Sequence, residues 1–379
     1  MNSSSRAGQY IQQPGGYSAY IPAPLPPQPA IVFDAELQSL LTKAERAIAV
    51  LDGAVQTLPH PDNFFAMSMR REAVLSCRID GVESRVDHLV RREAGFAVEH
   101  EAAEFDEAFN YLQAMRAGVA AIVKRPMTTS LIRQLHRQLL DGDKEHNNSA
   151  GELRQQQTWI GRPGCSIVDA MFVPAPPRHL NDLLRLLESF LYDESLPVLL
   201  QVGLAHAQFE TIHPFLSKNG RVGRLLISLL LSQKDVLQSP VLTLSDYFRE
   251  HRQAYYGHLQ RIRETGDWEG WLKFFLNGIE QSSQYATETA IRAVAQRERD
   301  RRGVTDEFGR VAANGLRVLE RLYQTPFIRV QDLVDMSGLT FQASNNLMNK
   351  FIDQGILSEA TGQARNRLFR YDAWIALFE

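Results

Sequence analysis

The 379-residue chain is 44% hydrophobic, enough for two or three domains with sizeable cores. Forty-one Lys and Arg against 44 Asp and Glu leave a formal charge of −3, which excludes a global pull toward nucleic acid or anionic membrane, so any anion site must be local. The longest apolar run, Leu225 to Leu231, is far short of a bilayer span, no basic-then-apolar leader opens the chain, and Cys77 and Cys165 have no metal-ligand spacing; a cytoplasmic protein without disulfides or membrane contact is expected.

Residues 1–30, rich in Ser, Gln, Gly, Tyr and Pro and ending in the Pro-rich stretch Pro22 to Pro29, read as a flexible arm, because such composition favours extended polyproline geometry over packing. From Phe33 the pattern turns helical. Leu37, Leu40, Leu41, Ala44, Ala47, Ile48 and Leu51 recur at three- and four-residue intervals, and further helices are expected over 67–78, 86–96 and 100–123. Glycines and prolines between Gly142 and Pro177 separate short extended pieces, 157–160 and 170–173, which predicts a β-hairpin flap. Helices resume over 180–192 and 198–212.

The most informative stretch follows. The stripe Val202, Ala205, Phe209 and Ile212 delivers His213 to a helix end, and Asn219 then reads as the N-cap of a helix from Gly220 to Leu231. Arg221 and Arg224, three apart, share one face of its first turn. Exposed amides, Asn219 and two arginines at a helix start form an anion cradle, and His213 beside it can take a proton from a hydroxyl; together they point to transfer of a phosphate-containing group. His206, seven residues before His213, is spaced too widely for a helical metal pair and is expected to pack. After a helix over 281–302, three helices (311–323, 330–336, 341–354) and two strands (356–358, 367–371) spell a winged helix-turn-helix. Its Arg365, Arg367 and Arg370 are basic, but from Pro326 onward five basic residues face six acidic ones, a net of −1, so DNA contact and protein docking are equally supported.

These residues resemble the Fic family, whose motif is His-Pro-Phe-x-(Asp/Glu)-Gly-Asn-Gly-Arg-x-x-Arg. The match falls on His213, Pro214, Phe215, Asn219, Gly220, Arg221 and Arg224, and similar landmarks occur at 151–154, 158–161, 172–174, 205–213 and 266–271. The resemblance implies a mainly α fold: a helical N-terminal region over 31–112, a Fic core over 113–290 with its flap, and the winged helix-turn-helix over 300–379. It implies a protein adenylyltransferase moving AMP from ATP to a Ser, Thr or Tyr hydroxyl of a protein target or of the chain itself. His213 would be the base, Asn219 would orient the α-phosphate, and Arg221 and Arg224 would hold the distal phosphates. Ser217, Lys218, Gly220 and Gly223 would complete the nucleotide cradle, with Tyr255, Tyr256 and Trp268 on the adenine side, although aromatic residues at such spacing also fit a core. Thr158, Trp159, Ile160 and Gly161 would align the target by strand addition.

Ser76-Cys77-Arg78-Ile79-Asp80-Gly81 is similar to the family's inhibitory motif, Ser/Thr-x-x-x-Glu-Gly/Asn. The resemblance implies that Ser76, Asp80 and Gly81 form the inhibitory segment, with the Asp80 carboxylate, one methylene shorter, pairing with Arg224. A homodimer is a further candidate assembly. The departures are Ser217, where an acidic Mg2+ ligand is expected, and Lys218, where the family has glycine. A hydroxyl is a poor ligand for a hard cation, which leaves metal binding unassigned, and a Cβ at a left-handed position costs about 1 kcal/mol. Lys218 could carry the metal's charge instead. A catalytically impaired nucleotide- or DNA-binding regulator, or transfer of another phosphate group, are the alternatives.

Overall fold

The stripe of Leu37, Leu41, Ala44, Ile48 and Leu51 forms the buried face of α1, Ala35–Gln56, in a computed structural model that describes residues 6–96, 102–143, 147–362 and 366–379. Asp34 starts this helix by accepting the Leu37 N–H at 2.7 Å, satisfying one of the orphan donors of the first turn. α2 (Pro61–Ile79), α3 (Val86–Glu93), α4 (Ala102–Ile122), α5 (Thr129–Leu139), α6 (Leu180–Phe190) and α7 (Val198–Ile212) follow. α8 (Asn219–Gln233), α9 (Leu244–Glu250), α10 (Arg252–Thr265) and α11 (Trp268–Glu307) complete the central region. Every residue of α7 from Leu199 to Ile212 is buried, which makes it the central helix, and α8 packs back against it. α11 has 40 residues, about 60 Å at the α-helical rise, and α1 lies along it. The fold is mainly α, as expected. Among the described residues no helix is long and apolar enough to cross a membrane.

Residues 6–30 depart from the expected flexible arm. β1 (Gly8–Gln12) and β2 (Ser18–Pro22) form an antiparallel hairpin, turned at Gly15 and Gly16, which both have positive φ. A two-stranded hairpin is marginal alone, so its docking holds it: the Tyr20 N–H donates to the Val173 carbonyl at 2.8 Å and the Gln208 amide to the Ala23 carbonyl at 2.8 Å. Tyr20 is buried, with its ring 5.8 Å from that of Phe172, and Arg6 pairs with Glu269 at 2.8 Å. Composition alone concealed this because Ser, Gln and Gly signal solvation, while the anchors, the Tyr20 ring and contacts to Val173, Gln208 and Glu269, lie with residues distant in sequence.

The expected flap hairpin is narrower than a ladder. Ile160 and Phe172 form one antiparallel bridge, N–H to carbonyl at 2.8 and 3.1 Å, around a loop containing Gly161, Pro163 and Gly164 that cannot continue the pairing. At the other end of the chain, α12 (Ala312–Gln324), β3 (Phe327–Arg329), α13 (Val330–Ser337), α14 (Phe341–Asp353), β4 (Ser358–Glu359), β5 (Leu368–Arg370) and α15 (Asp372–Ile375) follow α11. The strands make an antiparallel sheet in the order β3-β5-β4; β3 was not expected from the sequence. Arg370 reaches Asp87 of α3 at 3.3 Å, and Phe378 meets Phe64 of α2 with ring centroids 5.4 Å apart, so this region is packed onto the N-terminal helices.

Because Tyr20 fills the joint between the hairpin and the central helices, Tyr20→Ala should lower unfolding stability by about 3 kcal/mol, the cost typical of truncating a buried aromatic. Urea unfolding of the variant checks this, and a change below about 1 kcal/mol would mean the hairpin is only loosely held.

Candidate functional site

The link between α7 and α8 is shaped by contacts that the motif spacing does not reveal. His213 caps the C-terminus of α7 in the left-handed region, φ 50° and ψ 61°, and its N–H donates to the Phe209 carbonyl. Lys218, also left-handed at φ 58°, is the residue that precedes α8. Asn219 was expected as the N-cap; it is instead the first helical residue. Its Oδ1 accepts the Phe215 N–H and its Nδ2 donates to the Phe215 carbonyl, both at 2.9 Å, so this buried amide clasps the link rather than reaching toward a phosphate. His136 of α5 braces the other side: its ring stacks on Phe215 at 3.8 Å, Nδ1 accepts the Gly151 N–H, and Nε2–H donates to the Ser217 carbonyl at 3.2 Å. Those partners make His136 the neutral Nε2–H tautomer.

Arg221 and Arg224 are neither solvated nor vacant. They are 1% and 2% exposed, and one carboxylate oxygen of Asp80, at the C-terminal end of α2, lies 2.9 Å from Arg221 Nε and 3.0 Å from Arg224 Nη2. Arg224 also donates from Nε to the Ser76 hydroxyl at 2.7 Å and from Nη2 to the Ser76 carbonyl at 2.9 Å. Burial opposes both charges, but Asp80 and its neighbours outweigh it and push both guanidinium pKa values up. Gly81 follows Asp80 at φ 86°, which ends the segment in a turn that an L side chain rarely adopts.

Sequence reasoning missed a second carboxylate. Glu107 of α4 lies 2.6 Å from Lys218 Nζ and pairs through its other oxygen with Arg221 Nη2. Lys218, Arg221 and Arg224 therefore share Asp80 and Glu107, three cations against two carboxylates. Nothing in the spacing of Glu107 marks it, since the contact forms only when α4 crosses the start of α8. A divalent cation does not fit this donor set. Ser217 offers a neutral hydroxyl, the adjacent Lys218 brings a positive charge, and Glu107 is already engaged by two cations. Among the described residues no group of three or more His, Cys, Asp and Glu side chains is arranged to hold a metal.

The two glycines of the cradle have packing reasons. A Cβ at Gly220 would lie 2.9 Å from Arg224 Nη1, so its absence admits the guanidinium. A Cβ at Gly223 would lie 2.3 Å from Glu210 Oε1, so Gly223 serves the close approach of α7 and α8 rather than a ligand. The aromatic assignments also change. Tyr255 is a core residue whose hydroxyl meets His206 Nε2 at 2.9 Å, and Trp268 is buried and donates to the Arg6 carbonyl at 3.1 Å. Tyr256 alone of the three is exposed. In the flap, Trp159 is 44% exposed although its Nε1 donates to the Cys165 carbonyl, Ile160 is at the surface, Thr158 Oγ1 is buried without a partner, and Gly161 leaves space that Cys165 Sγ occupies.

His213 is partly buried, and its Nδ1 has no hydrogen-bond partner. Burial of the ring, then the charges of Arg154 and Arg263, hold its pKa well below the usual imidazole range, so it stands as a neutral base. His206 packs as expected: Nδ1–H donates to the Gly223 carbonyl at 3.0 Å, and burial brings its pKa down to about 3. Of the tail arginines, Arg365 lies outside the described residues. Arg367 is 3.6 Å from Glu359, and Arg370 pairs with Asp87 and Asp372, so both are engaged within the chain.

Residues 38–120 match the family model described as Fic/DOC family N-terminal, and residues 126–231 match that of the Fic/DOC family. The protein adenylyltransferase Fic of Drosophila willistoni is 29% identical over 182 residues, 47% of this chain and 32% of that protein. A probable protein adenylyltransferase of Aquifex aeolicus is 34% identical over 89 residues, 23% of this chain and 28% of that protein. The chain thus spans about a third of the length of these curated relatives. A Fic family protein from Desulfovibrio desulfuricans shares the fold with a TM-score of 0.60 at 17% identity, over 90% of this chain and 97% of its own. Fic-1 of Caenorhabditis elegans does so with a TM-score of 0.52 at 18% identity, over 69% and 74%.

His206 is neutral in the fold down to about pH 3 but titrates near its ordinary value of 6.5 once unfolded. Its contribution to stability is therefore complete above pH 6.5 and is lost as pH falls toward 3. Glu72 and Glu210, each pushed up to about 7 by burial, act oppositely, contributing below their ordinary 4.5 and losing that contribution as pH rises through 7. Urea unfolding at pH 7 and pH 4.5 should thus show a smaller acid-side loss for His206→Gln than for the parent, and an equal loss in both would contradict the neutral assignment.

Proposed function

The chain belongs to the Fic/DOC family, and from that premise we propose that it is a protein adenylyltransferase, held inactive in this conformation by Asp80 and Glu107. The target hydroxyl oxygen attacks the α-phosphorus of ATP, the bond to the β-phosphate bridge breaks, pyrophosphate leaves, and His213 accepts the hydroxyl proton. Arg224 binds the phosphates once Asp80 releases it and Arg221 once Asp80 and Glu107 both do, and Tyr256 is the aromatic residue left to flank the base. Asn219 acts by holding the link in shape. The flap residues Thr158 to Gly161 receive an extended segment of the target protein, or of a second copy of the chain, with exposed Trp159 packing on it. The link offers magnesium no carboxylate, since Ser217 and Lys218 stand where the acidic ligand and the following glycine are expected.

The observation that carries this reading is the sharing of Asp80 between two buried arginines. Removing one partner of a buried pair leaves an uncompensated charge at a cost of up to about 3 kcal/mol, and an entering phosphate would offset it. Inhibition and substrate binding thereby compete for the same two guanidinium groups.

A second reading is favoured by Lys218. Its ammonium is tied to Glu107 and its backbone is left-handed, a conformation that costs a residue with Cβ about 1 kcal/mol. In that reading the altered link leaves a nucleotide-binding regulator that transfers nothing. The winged helix-turn-helix proposed for the tail would then report nucleotide occupancy by docking a protein, since Arg367 and Arg370 are already paired.

Incubation with ATP labelled in its α-phosphate should mark the protein or a partner, and His213→Ala should abolish the mark; equal labelling would remove the case for transfer. Asp80→Ala and Glu107→Gln should each increase labelling about tenfold or more. Asp80→Ala should also melt at a lower temperature than the parent and regain stability with ATP. If labelling appears only after Ser217→Asp with Lys218→Gly, the regulator reading prevails.

A further inference from the structure

Arg154 is 2% exposed, yet no carboxylate pairs with it among the described residues. Its partners are neutral carbonyls. Nε donates to His213 O at 2.8 Å, Nη1 to Gln156 O at 3.4 Å and Nη2 to Ala175 O, while its own N–H donates to Pro214 O at 3.0 Å. Burying a guanidinium without an anion is unfavourable, and a neutral side chain could tether two loops at lower cost. Burial brings its pKa down to about 10, so it still carries its charge at neutral pH.

Arg263 of α10 repeats the pattern from another direction. It is buried, its guanidinium lies 3.7 Å from the centre of the Phe172 ring, and Nη2 donates to Glu210 O at 3.4 Å. Phe172 is the flap residue bridged to Ile160, and Gln156 and Ala175 flank the same bridge. Both arginines thus join the His213 end of α7 to the flap.

We infer that Arg154 is a positioning residue for His213, assisted by Arg263: it fixes the left-handed backbone at the base through the His213 carbonyl, and its unpaired positive charge adds to burial in keeping the ring in its proton-accepting form. The inference rests on the adenylyl-transfer reading for what the ring accepts, but the arrangement itself does not depend on turnover. Two charges act on the His213 ring, Arg154 from the loop after α5 and Arg263 from α10; Glu210 of α7 acts through its backbone rather than its carboxylate. Since the flap holds both arginines, a target segment docking there would be felt at the base through the Ala175 and Gln156 carbonyls.

The test follows the His213 ring directly, by NMR of histidine-labelled protein with His213→Asn to assign its signal. In Arg154→Gln, which retains a hydrogen-bonding side chain but not the charge, protonation of His213 should begin roughly one pH unit or more higher than in the parent. Arg154→Lys, which keeps the charge and loses the fork, should leave the titration near that of the parent while lowering kcat with little change in KM for ATP. A folded Arg154→Gln protein with an unshifted His213 titration would overturn the inference, as would equal shifts in the Gln and Lys variants, which would mean a tether alone. Should Arg154→Gln fail to fold, Arg263→Gln decides, with the same upward shift supporting the inference and none overturning it. Absence of labelling in every protein, parent included, counts against adenylyl transfer and leaves the ring titration to be judged separately.

Discussion

Two guanidinium groups buried at the start of α8 organise the molecule. A charge removed from water must find an opposite charge or a full set of hydrogen bonds, and Arg221 and Arg224 have almost no water left to them. Their needs bring in Asp80 and Ser76 from the end of α2 and Glu107 from α4. The N-terminal helices are thus attached to the central ones by electrostatics as well as by apolar contact. The attachment differs from a rigid core, because what the arginines require is negative charge in general. In the proposed function a phosphate would take the place of the α2 carboxylate, so the element that completes the fold is also the one a ligand would replace.

The link between α7 and α8 shows the opposite principle. Its shape is set by neutral groups: the Asn219 amide closing on Phe215, and a His136 ring whose tautomer is dictated by its two backbone partners. Neither can be exchanged for an ion. Two left-handed residues, His213 and Lys218, are held by these contacts and by the Arg154 bond to the His213 carbonyl. His213 therefore sits on backbone fixed by hydrogen bonds, while the arginines beside it are held by charged partners.

What could be read from the chain alone follows from range. Helical periodicity is local, and the boundaries expected for α7 agree with the fold to the residue; α6, α12, α13 and α14 lie within a few residues of expectation. The spacing of Arg221 and Arg224 is equally local, and so is the left-handed position anticipated at Lys218. The pairing of Asp80 with Arg224 was legible through the resemblance of a six-residue segment, whereas its contact with Arg221 was not. Glu107, His136 and Arg263 were not, because each reaches the site from a helix distant in sequence and belongs to no short pattern. The N-terminal hairpin was misread for a related reason: its stability comes from Tyr20 entering a joint made by other elements. Tyr255 and Trp268 were overread, since an aromatic side chain in a pocket wall and one in a core leave the same trace in sequence.

The exchange at positions 217 and 218 acquires a physical meaning from these contacts. A family pattern of acid then glycine provides one negative charge and one flexible backbone unit; Ser217 and Lys218 supply a hydroxyl and a fixed cation. The link accepts Lys218 in the left-handed region because Asn219 and His136 over-determine its path, and the ammonium finds Glu107 at 2.6 Å. That pairing answers whether the lysine charge is available to a nucleotide. In this conformation it is neutralised, and it becomes available only when Glu107 moves away, as Arg221 does when Asp80 and Glu107 both leave. Positive charge in the cradle is thereby gated by α2 and α4 together, whereas a diffusible cation would arrive with its ligand irrespective of either helix. In the proposed reaction the charge that meets the phosphates would come from the chain, through Lys218, rather than from a bound cation.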